Sequence, residues 1–231
     1  MTPRTAGGEN TAARDPGVVP GTTAAPGTTV APHATVIRDD RDPRPADLDT
    51  ISRQLGRPAR DVVEISARCV CGNPLVAATA PRLGNGIPFP TTFYLTHPVL
   101  TAAVSRLEAA GTMAGMTERL TADPALAARH RCAHEHYLAE RDRIGRRAGT
   151  GEVPEIAGIS AGGMPDRVKC LHALAGHALA AGPGINVLGD ETLAAVAEDW
   201  TPDRCTCAGA WDPGAPVPTK DLSRHVRHLT R

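Results

Sequence analysis

The chain has 231 residues, and its twenty-five basic and twenty-five acidic side chains cancel. With no net charge it has no global field to draw nucleic acid or an anionic membrane, and two each of Phe, Tyr and Trp are too few for a base-stacking surface. No signal-like core opens the chain and no stretch approaches the ~20 apolar residues of a membrane span. A cytoplasmic protein with no membrane or nucleic-acid partner is expected. Thiols stay reduced in that compartment, so the six cysteines read as ligands, nucleophiles or core residues before they read as disulfides.

Residues 1–45 are dominated by Gly, Pro, Thr and Ala. Such a segment cannot bury enough surface to offset its chain entropy, and a disordered leader is expected. A globular domain is expected over 46–200, followed by an irregular, Pro-rich tail over 201–231. The domain opens on a short helix, with Leu48, Ile51 and Leu55 at helical spacing and a stop at Gly56. From Asp61 to Cys71, Val63, Ile65, Ala67, Cys69 and Cys71 share one face at period two, with Glu64, Ser66 and Arg68 opposite. Gly72-Asn73-Pro74 turns the chain into a returning strand over 75–80, and Phe93-Tyr94-Leu95 centres a third.

Helical periodicity takes over after Pro98. A run from Val99 to Leu120 is interrupted at Gly111, and Asp123-Pro124 caps a long helix reaching about Arg147. After a Gly-rich loop, Asp166 is placed to cap a third helix closed by Gly182-Pro183-Gly184, and a fourth starts at Gly189-Asp190. The expected fold class is α+β, a single domain with a small antiparallel sheet packed by about four helices.

Three clusters could carry chemistry. On a strand, Cys69 and Cys71 put both sulfurs on one face, roughly 6.5–7 Å apart at the backbone, within reach of a shared Zn²⁺. Cys170 supplies a third thiol, and His172, His97 or His177 would complete a four-ligand, zinc-like site joining sheet and helix. Cys170 and His172 point apart in a regular helix, so both can ligate only if the backbone between them is irregular. The second cluster is the loop before that helix: Gly162 and Gly163, with Arg167 and Lys169, could present N–H groups and charge to an anion. The third, His130 and His134, is four apart on one helix but lacks a catalytic Glu between them, and reads as a solvated face.

Four segments together resemble a known family: Arg68-Cys69-Val70-Cys71-Gly72-Asn73-Pro74, Pro88-Phe89-Pro90-Thr91-Thr92-Phe93-Tyr94-Leu95-Thr96, Ser105-Arg106-Leu107-Glu108-Ala109-Ala110-Gly111, and Val168-Lys169-Cys170-Leu171-His172. In that order they resemble the bacterial "domain of unknown function 501", over roughly Ile51 to Trp200. The resemblance implies an actinobacterial cytoplasmic protein encoded near a septum-formation initiator, an exopolyphosphatase and enolase. It implies no established activity and carries over no catalytic residue. Three functions are therefore open: a metal-stabilised protein, a phosphate-ester or nucleotide-related enzyme using the Gly162-Gly163 loop, or an interaction module with a division-related protein partner.

Overall fold

A tight hairpin organises the sheet. In the computed structural model, which describes residues 36–220, β1 (Val62–Arg68) pairs antiparallel with β2 (Pro74–Thr79), and β3 (Phe93–Leu95) adds to the far side of β2. Six α-helices complete the α+β domain: α1 (Pro45–Leu55), α2 (Pro98–Ala109), α3 (Thr112–Ala122), α4 (Pro124–Ala148), α5 (Leu171–Ala181) and α6 (Val187–Ala195). Residues 1–35, most of the expected leader, and 221–231, the end of the expected tail, lie outside the described residues. None of the described helices is long and apolar enough to cross a membrane.

Local chemistry explains most boundaries. Gly56, at φ 63°, closes α1 in the left-handed conformation that glycine adopts without strain. Gly111 does the same between α2 and α3, at φ 83°, so the long apolar run becomes two helices. Asp123 Oδ1 accepts from the N–H groups of Ala125 and Leu126 at the head of α4, as an N-cap carboxylate should. Two helices start elsewhere than the sequence suggested. Asn186 caps α6 by accepting from Gly189 N, so that helix begins at Val187. The expected cap Asp166 belongs to a turn instead: Arg167 N and Lys169 N donate back to the carbonyls of Gly163 and Gly162, and α5 begins only after Cys170.

The simple alternation along β1 does not hold. Register shifts interrupt its pairing between Ile65 and Ala67 and again before Arg68, which turns successive side chains to different faces. Ile65 joins Ile51 and Ala77 in a small core beneath α1, while Val63, Ala67 and Cys69 face the main core under the other helices. Nor are the polar residues between them solvated. Glu64, Ser66 and Arg68 are fully buried, because residues 36–44 lie over them. Arg68 and Ile37 exchange backbone hydrogen bonds, and Ile65 N donates to the Arg41 carbonyl at 2.9 Å. Val36 sits in the main core, and Arg38 Nε donates to the Leu179 carbonyl at 2.8 Å. Buried carboxylates need partners, and Glu64 has them in Arg143, Arg41 and Ser66. Their hydrogen bonds outweigh burial and hold its carboxyl below the usual range.

The histidine face of α4 is only partly solvated, with His134 and His136 half-buried. His130 is buried, His134 Nδ1 lies 2.9 Å from Ser160 Oγ, and His136 Nδ1 lies 2.9 Å from His177 Nε2. The loop after α4 folds back against that helix, where Ser160 meets His134 and the Ile159 carbonyl accepts from Arg141.

Removing the cover over β1 should be costly. A chain starting at Val36 is expected to melt about 5 °C or more above one starting at Pro45, since the latter loses the Ile37 bridge and leaves Glu64 and Arg68 short of partners; equal thermal melts would show that 36–44 contribute nothing. The crossing of α5 and α6 offers a second check. A Cβ at Gly189 would overlap the Leu174 carbonyl oxygen and come within 2.8 Å of Ala178 Cβ. Gly189→Ala is therefore expected to destabilise by about 1–3 kcal/mol in urea unfolding, although alanine is the better helix former.

Candidate metal centre

The hairpin between β1 and β2 carries the first two thiols. Cys69 follows the last residue of β1, and Cys71 sits in the turn itself. Cys69 N donates to the Asn73 carbonyl at 2.8 Å, and Gly72 N donates to the Cys69 carbonyl at 2.7 Å. Gly72 takes φ 88°, which a side chain would resist. The pair is thus presented by a rigid turn, where the sequence pattern placed it on a strand.

Arg68 anchors that turn. Its guanidinium is fully buried, and each of its donor groups finds an acceptor. Nη1 and Nη2 bind the two oxygens of Asp47 at 2.8 and 3.0 Å. Nε donates to the Asp40 carbonyl, Nη2 also to the Asp42 carbonyl, and Nη1 also to the Gly72 carbonyl. Burial by itself would raise the Asp47 carboxyl, but Arg68 and Arg44 hold it far below its usual range. A buried pair of this kind is costly to break from one side.

The other two thiols come from the segment after α6. Trp200 is buried, and the chain then returns across the hairpin, bringing Cys205 and Cys207 against Cys69 and Cys71. All four sulfurs lie within 4.8 Å of one another. Cys71 and Cys207 Sγ are 3.4 Å apart across a sequence separation of 136 residues. Two ligands at ~2.3 Å on a tetrahedral Zn²⁺ stand ~3.8 Å apart, so four thiols so gathered match a Cys₄ site. Beyond the cluster the segment stays attached: Trp211 packs edge-on against His97 at 5.9 Å, and Arg53 Nε donates to the Ala215 carbonyl.

The thiols do not ionise alike. Burial pushes Cys69 up to about 11 and raises Cys207 as well, with the neighbouring Cys71 adding to it. Burial also opposes ionising Cys71, but hydrogen bonds from the Asn73 backbone and from the Cys205 and Cys207 thiols bring it down to about 7. Of these three, Cys71 therefore carries the first negative charge while Cys69 and Cys207 hold their protons. A bound dication would favour the thiolate form of each sulfur that it touched.

His97 reaches this cluster as a supporting group. It is fully buried, and its Nδ1 accepts from Leu100 N at the head of α2. Burial drives its pKa down to about 4, so the ring is neutral and its one hydrogen is on Nε2. That atom lies 3.5 Å from Cys207 Sγ, placed to donate to a thiolate. Ligand atoms held by an outer hydrogen bond are typical of metal centres.

The four-ligand set expected from the sequence is corrected in its second half. Cys170 and His172 do not join Cys69 and Cys71; they group with Glu108 of α2, within 4.8 Å of one another. The physical reason lies in where α5 begins. Cys170 is its N-cap, and Leu171 N donates to Glu108 Oε1 at 2.6 Å, which fixes the start of α5 against α2 and away from the hairpin. His177, the other alternative, is buried in the interior. Its Nε2 meets His136, its Nδ1 lies 3.2 Å from Asn186 Nδ2, and its ring stacks on Phe93. Burial and the neighbouring His136 push its pKa down to about 3. Cys205 and Cys207 are missing from the expected set, and the signal that could have found them is the repeated Cys-x-Cys spacing.

Around the anion candidates, Gly162 and Gly163 serve the turn. Both have positive φ, and a Cβ on Gly163 would come within 2.8 Å of the Arg167 carbonyl and 2.9 Å of Lys169 N. The N–H groups of Arg167, Val168 and Lys169 are already committed within the protein. The charge that meets the head of α5 is the Glu108 carboxylate. A cleft of about 540 Å³ lies along α4, lined in part by Arg141, Asp142, Arg146 and Glu152, and it contains none of the predicted site residues.

Fold and site together define an α+β protein with a four-thiol cluster closing its hairpin. The chain belongs to the family described as "Protein of unknown function (DUF501)", whose model matches residues 65–194. The match includes Cys69, Cys71, Glu108, Cys170 and His172 and ends before Cys205 and Cys207. No curated protein and no solved structure matches the chain.

Because the hairpin hangs on one guanidinium, Arg68→Met is expected to cost about 3–5 kcal/mol. Arg68→Met combined with Asp47→Leu should recover part of that loss. Urea unfolding of the two variants measures both effects, and a double variant no better than the single would show that the stranded carboxylate is not the source of the cost.

Proposed function

We propose that this protein is built around a structural zinc-type ion held by Cys69, Cys71, Cys205 and Cys207. The observation that carries the reading is the convergence of two Cys-x-Cys pairs from distant parts of the chain into a single tetrahedron-sized cluster. Thiolate-only sets select Zn²⁺ or iron, and a closed Cys₄ set leaves no position for a substrate, which is the pattern of a structural site. Charge supports the same reading. Four thiolates around a dication leave two negative charges, and the buried, neutral His97 offers a hydrogen bond to one of the sulfurs.

The ion would act as a clasp. It would fasten the segment after α6 to the β1–β2 turn, and with it Trp211 against His97 and Ala215 against Arg53. The protein would then present a metal-dependent surface made from the hairpin, the head of α2 and the returning segment.

Metal analysis of untagged protein tests the proposal. Cys71→Ser and Cys205→Ser should each bind one equivalent less than the wild type. Chelation should lower the melting temperature by about 5 °C or more, because metal binding and folding of the clasped segment are coupled. Retention of full metal by both variants would dismiss the site. So would wild-type protein in which two of the four thiols resist alkylation until reduced, since a Cys71–Cys207 disulfide then explains their approach.

A further inference from the structure

The group that the sequence joined wrongly to the hairpin has a geometry of its own. Glu108, Cys170 and His172 offer an oxygen, a sulfur and a nitrogen, all within 4.8 Å of one another and all half-exposed. His172 Nδ1 lies 3.1 Å from Glu108 Oε1, close to the ~3.3 Å edge of a tetrahedron with ligands at ~2.0 Å.

Each donor is oriented from outside. The other ring nitrogen of His172, Nε2, faces the Thr101 carbonyl at 3.1 Å and Ser105 Oγ at 3.2 Å. A carbonyl only accepts, so Nε2 carries a hydrogen and Nδ1 is the atom free to bind a metal once its own proton leaves. This carbonyl-held tautomer is the usual support of a ligating histidine. Glu108 Oε1 is pinned by Leu171 N at 2.6 Å. Cys170 is the N-cap of α5, yet its side chain makes no capping hydrogen bond; the sulfur is turned instead to the His172 ring, which it meets as a hydrogen-bond partner. Its φ of −155° and ψ of 112° put a bend between Cys170 and His172. That bend lets two residues which would diverge on a regular helix point to the same place.

We propose that Glu108, Cys170 and His172 form a second, open metal site for a divalent zinc-type cation, with water in the fourth position. One thiolate, one carboxylate and one neutral imidazole balance the charge of the ion. Three protein ligands with solvent access are the arrangement of exchangeable or catalytic sites, in contrast to the closed four-thiol cluster. In the free protein the same groups form a His172–Glu108 ion pair, which the metal replaces by taking the place of the Nδ1 proton. The two sites share no residue, so either can fail alone.

Co²⁺ titration of the full chain, followed by its thiolate charge-transfer absorption and by equilibrium dialysis, tests the site. Wild type is expected to take two equivalents. Cys205→Ser should keep one, with the weaker absorption of a single Co–S bond, and Cys205→Ser combined with Cys170→Ser should take none. Glu108→Gln keeps an oxygen for Leu171 N and preserves the start of α5. It should still weaken the second equivalent by at least about tenfold, the lower end of what even outer-sphere changes cost. If the four-thiol cluster binds no metal, wild type and Cys205→Ser should both take one equivalent. The proposal is overturned if Cys170→Ser binds as much Co²⁺ as wild type, or if the Glu108→Gln titration superimposes on it.

Discussion

The buried guanidinium of Arg68 is the constraint on which the rest depends. A positive charge away from water is stable only if its donors are all met, and here the acceptors come from three parts of the chain: residues 40–42, the head of α1, and the turn at Gly72. Satisfying that one side chain therefore assembles the cover over β1, seats α1 and sets the hairpin turn. The thiols at Cys69 and Cys71 inherit their positions from this arrangement. Apolar packing would have brought the same elements together, but with less demand on their exact angle and register.

The two groups of candidate metal ligands differ in how they are built, and the difference is chemical. At the hairpin, four soft ligands face one another with a buried neutral histidine behind them. Burial keeps Cys69 and Cys207 protonated in the free protein, so an ion would have to displace protons, and its binding would strengthen as the pH rises. Beside α2, His172 is raised to about 9, first by its hydrogen bond with Cys170 and then by Glu108, against the effect of burial. That group already forms a His172–Glu108 ion pair without metal, which an ion would have to displace. One cluster suits a clasp and the other suits exchange.

The interior histidines show how easily a residue type misleads. His177 and His97 have the same side chain and are both fully buried, yet His177 stacks on Phe93 and packs against Tyr137 and His136 while His97 points a hydrogen at a sulfur. Capping decides the difference. The His97 ring is committed on one side to the start of α2, and its second nitrogen falls at the mouth of the thiol cluster. His177 lies in mid-helix on the face of α5 that packs against the sheet.

Local physics was legible along the chain. The left-handed glycines at Gly56 and Gly111, the Asp123-Pro124 start, the turn at Gly72 and the three-stranded antiparallel sheet all follow from short-range sterics and patterning, and the four motif segments were enough to place the family. Residues 36–44 were not legible, because polar and prolyl residues look solvated until the buried charges they satisfy are known. The β1 bulges, which put Ile65 and Ala67 on different faces, were hidden for a similar reason: alternation in sequence assumes a regular ladder. The sequence by itself determined which residues could bind metal, since donor chemistry belongs to side chains. Which of them meet was decided only by the tertiary structure. The distance between Cys71 and Cys207, or between Glu108 and Cys170, is the sum of every turn in between, and no local rule carries that sum.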